Sequence, residues 1–531
     1  MKTQENILRV NHSNGCCCHC ATPSSHCHIQ SINRRKFLYT FGVTAAATAL
    51  SYKLGESVIY AEDNERQMLV IKKELVVQPV LTYDLPQRRD ATSWRNWGGI
   101  QTEEQAKAEQ QRINEELQKL SKQANFKIKF LPVEPVRSIE KAQNLVKGDF
   151  DVLLLYAAGG WVNLLEALTS TEKWNVMFLR HDPGPVYLWY EIVHNRFFRK
   201  TVDEITQAGW TVDDVVIDNT SELLWRFRAL YGLKNSMNKK IVCIGGSGGW
   251  GRSGADAPAK AKEIWKMELV DYPYKELSKK LESAYKDSNL VKKYTDEAGR
   301  YLRQRGIKLR TDRGFVDRAF VLDAVFRDLM AQEKTDAMTI NACMGTIMAV
   351  SKTTACLPLS LINDDDGLAF CESDFVVIPS GVLLHYISGL PVFLNDPTYP
   401  HDDMITLAHC TAPRKMDGKH YEPTLVLTHF ESDYGAAPKV EMRIGQQCTC
   451  LIPDFGGRRW VGLSGKIVKN PFLDICRSQI DVKIDGDQSE LMQKMPGFHW
   501  MLCYNDYMRE VQYALQKIGV NFLNLSSKQK T

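Results

Sequence analysis

Apolar and polar positions follow two rhythms along this chain, and the place where the rhythm changes divides it. Between about residues 66 and 237, short runs with the two-residue period of strands alternate with longer stretches of helical period. The spacing predicts helices over 103–124, 139–146, 202–208 and 221–233, and strands over 126–130, 151–156, 174–179 and 211–217. The run Asp151-Val152-Leu153-Leu154-Leu155-Tyr156 is apolar on both faces, as in a parallel sheet covered by helices. Such alternation argues for a doubly wound α/β domain. A second unit of the same kind opens at Lys240-Ile241-Val242-Cys243-Ile244, with helices over 274–286 and 316–331. Beyond Asp396 the pattern shifts to short strands and turns, with strands over 424–427, 440–444 and 479–484. That predicts a β-rich barrel or sandwich closed by a terminal helix. The expected layout is a leader at 1–61, α/β domains at 66–237 and 238–395, and a β-rich C-terminal domain at 396–531.

With 531 residues, 44% hydrophobic and 24% charged, the chain is globular and long enough for several cores. Its net charge is only +4, and residues 1–61 hold six Lys/Arg against two Glu, so the remainder is neutral. No basic stripe or RNA-binding aromatic signature is present, which argues against nucleic acid as a partner. The expected partner is a small molecule.

Four residues of the C-terminal half carry the candidate chemistry: Glu372 in AFCESDF, Asp396 in PVFLNDP, His409 in TLAHCTAP and His499 in GFHWMLCYNDY. Two carboxylates and two imidazoles make a hard-to-borderline ligand set, suited to Mn²⁺, Fe²⁺, Co²⁺ or Mg²⁺. Glu372 and Asp396 are joined by an apolar stretch over 375–390, expected to be helical, and a strand-like 390–394. A Glu, a helix and then Val-Phe-x-x-Asp resembles the metal-binding segment of L-fucose isomerases. His409 resembles a metal histidine of L-arabinose isomerases, and Gly497-Phe498-His499-Trp500 resembles the terminal Gly-x-His segment of both families. The resemblance runs from about 336 to 519. It departs at Trp500, where arabinose isomerases have a second His, and around Asn341-Ala342-Cys343, which lacks their earlier Glu. It implies a homo-oligomeric, metal-dependent aldose–ketose isomerase, with Mn²⁺ on Glu372, Asp396, His409 and His499. Glu372 or Asp396 would move the proton of a monosaccharide through an ene-diol. A related epimerase or lyase, or a non-catalytic periplasmic sugar-binding protein, are the alternatives.

Other readings compete for these positions. Glu372 also reads as an acid at a helix N-terminus, and Asp396 before Pro397 as a turn residue. Asp374 rivals Glu372, while His385, His401 and His429 rival the two histidines. Three consecutive acids, Asp364-Asp365-Asp366, read as a solvated turn because adjacent carboxylates converge poorly. In the first domain, Arg95 and Trp97 of Trp94-Arg95-Asn96-Trp97 offer a cation and a stacking ring for a sugar, or simple surface packing. Gly245-Gly246-Ser247-Gly248-Gly249-Trp250-Gly251 follows a strand but lacks the Gly-Lys-Ser/Thr of a phosphate loop. It reads as a flexible strand-to-helix turn away from the metal.

The first 61 residues are of another character. Arg34-Arg35-Lys36-Phe37-Leu38 precedes the modest apolar run Gly42 to Leu50, which resembles a twin-arginine export signal. The run is too short and too rich in Ala and Thr for a membrane span. The resemblance implies export of a folded protein to the periplasm or beyond, with no integral membrane domain after the signal is removed. Ahead of it, Cys16-Cys17-Cys18-His19-Cys20 and His26-Cys27-His28 form a dense Cys/His tract. The other nine cysteines show no disulfide spacing and read as buried thiols.

Overall fold

A computed structural model describes residues 68–187, 192–199 and 207–526. From Met68 onward the chain forms one compact unit. The leader and most of the helix expected at 202–208 lie outside the described residues.

The chain is mixed α/β, with two parallel doubly wound sheets and a closed antiparallel barrel. The first sheet holds β1 (Leu75–Thr82), β2 (Ile128–Phe130), β3 (Glu134–Val136), β4 (Val152–Ala157), β5 (Trp174–Leu179) and β6 (Val215–Ile217). Its order is β2-β1-β4-β5-β6, with β3 also on β1, and all pairings are parallel. Every residue of β4 is buried, as its continuous apolar run requires. Helix Glu103–Gln123 begins with a capping box between Thr102 and Gln105. It buries Ala106, Ile113, Leu117 and Leu120, the three-to-four spacing read from the sequence. The strand expected over 211–217 is shorter: Asp214 bonds back to the Thr211 N–H, holding Val212–Asp214 in a 3₁₀ turn before β6.

The second sheet follows with β7 (Lys240–Ile244) and β8 (Glu268–Tyr272). After β9 (Ile307–Leu309), which pairs elsewhere, come β10 (Ala337–Ile340) and β11 (Leu368–Cys371). Its order is β11-β10-β7-β8, again parallel. Helices Tyr274–Lys286 and Arg313–Gln332 cover it at nearly the expected bounds. Among the described residues no single helix is long and apolar enough to cross a membrane. The apolar helix Cys356–Asp364 is buried along its whole length in this layer.

In the barrel, β12 (Phe393–Pro397) and β13 (Met404–His409) come first. After β14 (Thr424–Leu427) and β15 (Ala437–Val440), which join β9 in a small sheet, come β16 (Gln447–Pro453), β17 (Arg459–Lys469), β18 (Ser478–Ile484) and β19 (Trp500–Tyr504). The order β16-β19-β12-β13-β18-β17 returns from β17 to β16 and closes six antiparallel strands. Closure removes the exposed edges that an open sheet would leave. A last strand, β20 (Asn521–Asn524), adds parallel to β17. The strand expected over 440–444 ends instead at Val440, because the Met442 N–H turns to the Asn470 side chain.

Alternation along β19 ties the barrel to the α/β layers. Trp500, Leu502 and Tyr504 enter the barrel core, while Met501 and Cys503 belong to the cluster that contains helix Ile378–Ser388. That helix is wholly buried. Gly381 lets it approach, since a Cβ there would stand 2.6 Å from both the Met501 methyl and the Phe370 ring. The helix starts at Ile378, later than expected, and carries the chain from β11 to β12.

Candidate metal centre at the barrel rim

Strand register gathers three of the four predicted ligands. β12 and β19 pair Asn395 with Trp500, so Asp396 lies across from His499 one step beyond. β12 and β13 pair Asp396 with Ala408, beside His409. The fourth ligand comes from the second sheet, where Glu372 directly follows β11. Glu372 and Ser373 both adopt left-handed backbone, with φ of 64° and 47°. Such conformations are costly for non-glycine residues and concentrate at functional sites. The turn makes Glu372 part of a tight strand exit, not a helix cap. The site therefore sits where the carboxyl end of a parallel strand meets the barrel rim, the usual ligand position of α/β sheets.

The side chains converge. His499 Nε2 lies 3.2 Å from Glu372 Oε2 and 3.1 Å from Asp396 Oδ1, and His409 Nε2 lies 3.6 Å from Glu372 Oε1. Ligand atoms of Asp396, His409 and His499 all fall within 4.8 Å of one another. Two ligands bound at about 2.1 Å to one metal at roughly 90–110° would stand about 3.0–3.5 Å apart. The two separations from His499 Nε2 fall in that range, and the 3.6 Å from His409 to Glu372 lies just beyond it. The histidines are buried, whereas Glu372 and Asp396 keep 30% and 27% of their side chains exposed, so the centre opens on its carboxylate side.

Hydrogen bonding fixes which nitrogen faces the centre. Asp374 Oδ2 lies 2.7 Å from His499 Nδ1, and Asp374 Oδ1 accepts from the Trp250 and Val376 N–H groups, each at 3.0 Å. His499 Nδ1 is therefore the donor, and in the neutral ring Nε2 presents its lone pair to two carboxylates. Both Nε2 and Asp396 Oδ1 are buried without a hydrogen-bond partner. A cation between them resolves the arrangement, so these residues fit a divalent metal. The carboxylate–histidine pair is the usual outer support of such a ligand. Thr411 Oγ1, 3.0 Å from His409 Nδ1, holds the other ring.

The electrostatics agree. Burial alone would raise the Glu372 carboxyl, but the His409 and His499 imidazoles facing it hold it well below the usual carboxylate range. Burial alone would lower both histidines. Glu372 raises His409, and Asp374, Asp396 and Glu372 together raise His499 well above an ordinary imidazole. Without metal, the pocket thus draws protons toward its imidazoles, in the place that a bound cation would take.

The glycine-rich turn after β7 belongs to this centre, contrary to the sequence reading. Gly248 bridges Asp374, donating to Ser373 O and accepting from Phe375 N–H. Trp250 then stacks on Phe498 at 4.0 Å, with planes 11° apart, next to His499. Sequence reasoning treated Asp374 only as a rival ligand and missed its support of His499. Its place two residues after Glu372 was the available signal.

The rivals fall elsewhere. His385 Nδ1 bonds Leu390 O, His401 is exposed beside Tyr399 O, and His429 is buried near Cys410. The three acids diverge, but only partly toward water. Asp364 is buried and accepts from the Lys415 N–H, Asp365 pairs with Arg327, and Asp366 pairs with Lys72. Arg95 is exposed and lies over Trp94, and Trp97 is 49% exposed on the segment before helix Glu103–Gln123. Neither is among the residues gathered at the centre. A cavity of about 240 Å³, lined by Lys72, Lys127, Arg228, Tyr231 and His385 among others, also shares none of the four ligands. The nine described cysteines are all free thiols. Compared with known protein families and with curated proteins, the chain matches none.

Proposed function

We propose that this protein is a metal-dependent aldose–ketose isomerase acting on an open-chain monosaccharide through an ene-diol. One observation carries the reading: two carboxylates and two imidazoles meet with unpartnered acceptor atoms at a solvent-facing rim. Glu372, Asp396, His409 and His499 would hold a divalent ion, Mn²⁺ by the chemistry of the set. When bound, such an ion supplies positive charge that polarises a sugar carbonyl. Glu372 or Asp396, the two partly exposed members, takes the proton from C2 and returns one to C1, while the O2 hydroxyl proton passes to O1. Asp374 and Thr411 keep the imidazoles oriented. The stacked Trp250 and Phe498 provide an apolar wall for the C–H face of a sugar, as ligand pockets commonly combine aromatic surface with a few polar groups.

We also infer export by the twin-arginine route from Arg34 and Arg35. Changing both to Lys should retain the precursor in the cytoplasm, and unchanged export would remove this inference. For the reaction, the purified protein is incubated with Mn²⁺ and a panel of aldoses in D₂O. Deuterium should enter at C1 of the ketose as it forms, and at C2 of aldose re-formed by the reverse reaction. Metal-loaded protein that forms no ketose from any aldose of the panel would rule out isomerisation.

A further inference from the structure

Cys371 ends β11 immediately before Glu372, and its thiol faces the same centre. Its sulfur, a Glu372 oxygen and a His409 nitrogen all lie within 4.8 Å of one another. The thiol is buried, and Cys343 Sγ stands 3.4 Å from it. The rim thus presents two overlapping ligand sets. One is the oxygen and nitrogen set of Asp396, His409 and His499, joined by Glu372. The other is Cys371, Glu372 and His409. They share His409 Nε2, because the other ring nitrogen of His409 is held by Thr411.

We propose that Cys371, Glu372 and His409 form a second, thiolate-containing metal site that takes thiophilic divalent cations such as Zn²⁺, Cd²⁺ or Co²⁺. Hard cations prefer oxygen ligands, whereas thiolate selects softer ones. A single imidazole nitrogen binds one ion, so the two sets compete for His409. The identity of the metal then decides which side of the pocket is filled. Binding on the thiolate side breaks the Cys371 S–H bond: the proton leaves to solvent and the sulfur lone pair forms the bond to the metal. Cys343, at 3.4 Å, is placed to donate its own S–H to the thiolate so formed. This inference shares Glu372 and His409 with the proposed isomerase centre, but it does not require isomerase activity.

The test is optical titration of the metal-free full-length chain with Co²⁺. Cys16, Cys17, Cys18, Cys20 and Cys27 are replaced by Ser to remove the leader thiols. The parent should show a near-ultraviolet thiolate-to-cobalt charge-transfer band that saturates with the bound ion. Cys371→Ser should lose that band while its Mn²⁺ affinity stays within about threefold, since Mn²⁺ favours the oxygen and nitrogen set. His499→Ala should keep the band while its Mn²⁺ affinity falls by about tenfold or more. No band in the parent, which needs no variant to fold, or an unchanged band in Cys371→Ser, would overturn the proposal. A band without any Mn²⁺ binding would uphold the thiolate site and remove the isomerase centre.

Discussion

The two parallel sheets are built alike, yet their buried charges behave differently. In the first, Arg180 at the end of β5 donates to Glu109 and Glu116, each at 2.6 Å, and Tyr187 donates to Glu109. Every charge there has its complement. At the exit of the second sheet, oxygen acceptors crowd around His499 Nε2 and two polar atoms stay unpartnered. Buried polar groups are normally satisfied, so the saturated cluster reads as architecture and the unsaturated one as a binding centre. The difference arises because the second sheet delivers Glu372 onto a barrel rim that already carries Asp396, His409 and His499.

Breaking the saturated cluster should produce the largest effect, and on stability alone. Arg180→Met leaves buried Glu109 with only the more distant Arg112, 3.9 Å away, which should cost about 3–5 kcal/mol in denaturant unfolding. The Mn²⁺ stoichiometry of the folded fraction should not change. Loss of metal together with stability would erase the distinction between the two clusters.

At the unsaturated cluster the expected losses are in affinity. Asp396→Asn and Glu372→Gln each keep shape but remove a charged ligand, so Mn²⁺ binding by calorimetry should weaken about 100-fold or more. Asp365→Asn, whose partner is Arg327, should leave that affinity near the parent value. Asp374→Asn should act less strongly, about 10–100-fold, because it disturbs only the orientation and tautomer of His499. An Asp374→Asn protein with unchanged affinity would show that His499 needs no support.

The smallest effect is graded with pH. Because the metal-free pocket raises both His409 and His499, an incoming cation must displace protons from them. Mn²⁺ affinity should therefore climb as pH rises through the neutral range, by about tenfold per pH unit for each proton displaced. Affinity that falls over that interval would mean the imidazoles are not ligands.

Much of this was readable from the residues. Apolar runs such as Val152–Ala157 and Lys240–Ile244 announced parallel strands, since burial on both faces leaves no polar alternation. The four candidate positions that the fold brings together were also visible, because their residue types and order are local. What escaped was long-range geometry. Asp374 supports a histidine 125 positions away, and the glycine turn reaches Asp374 from a different strand. Cys371 read as one more buried thiol, because the turn that aims it at Glu372 and His409 leaves no periodic trace. Arg95 and Trp97, whose chemistry suits a sugar, lie on an exposed segment and are not among the residues gathered at the centre.

The central claim is that Glu372, Asp396, His409 and His499 bind one divalent ion, and pulsed electron paramagnetic resonance of the Mn²⁺-loaded protein tests it most directly. One Mn²⁺ per chain should be found, with nitrogen couplings from imidazole that diminish in both His409→Ala and His499→Ala. Bound Mn²⁺ without nitrogen coupling, or no bound Mn²⁺ at all, would contradict it.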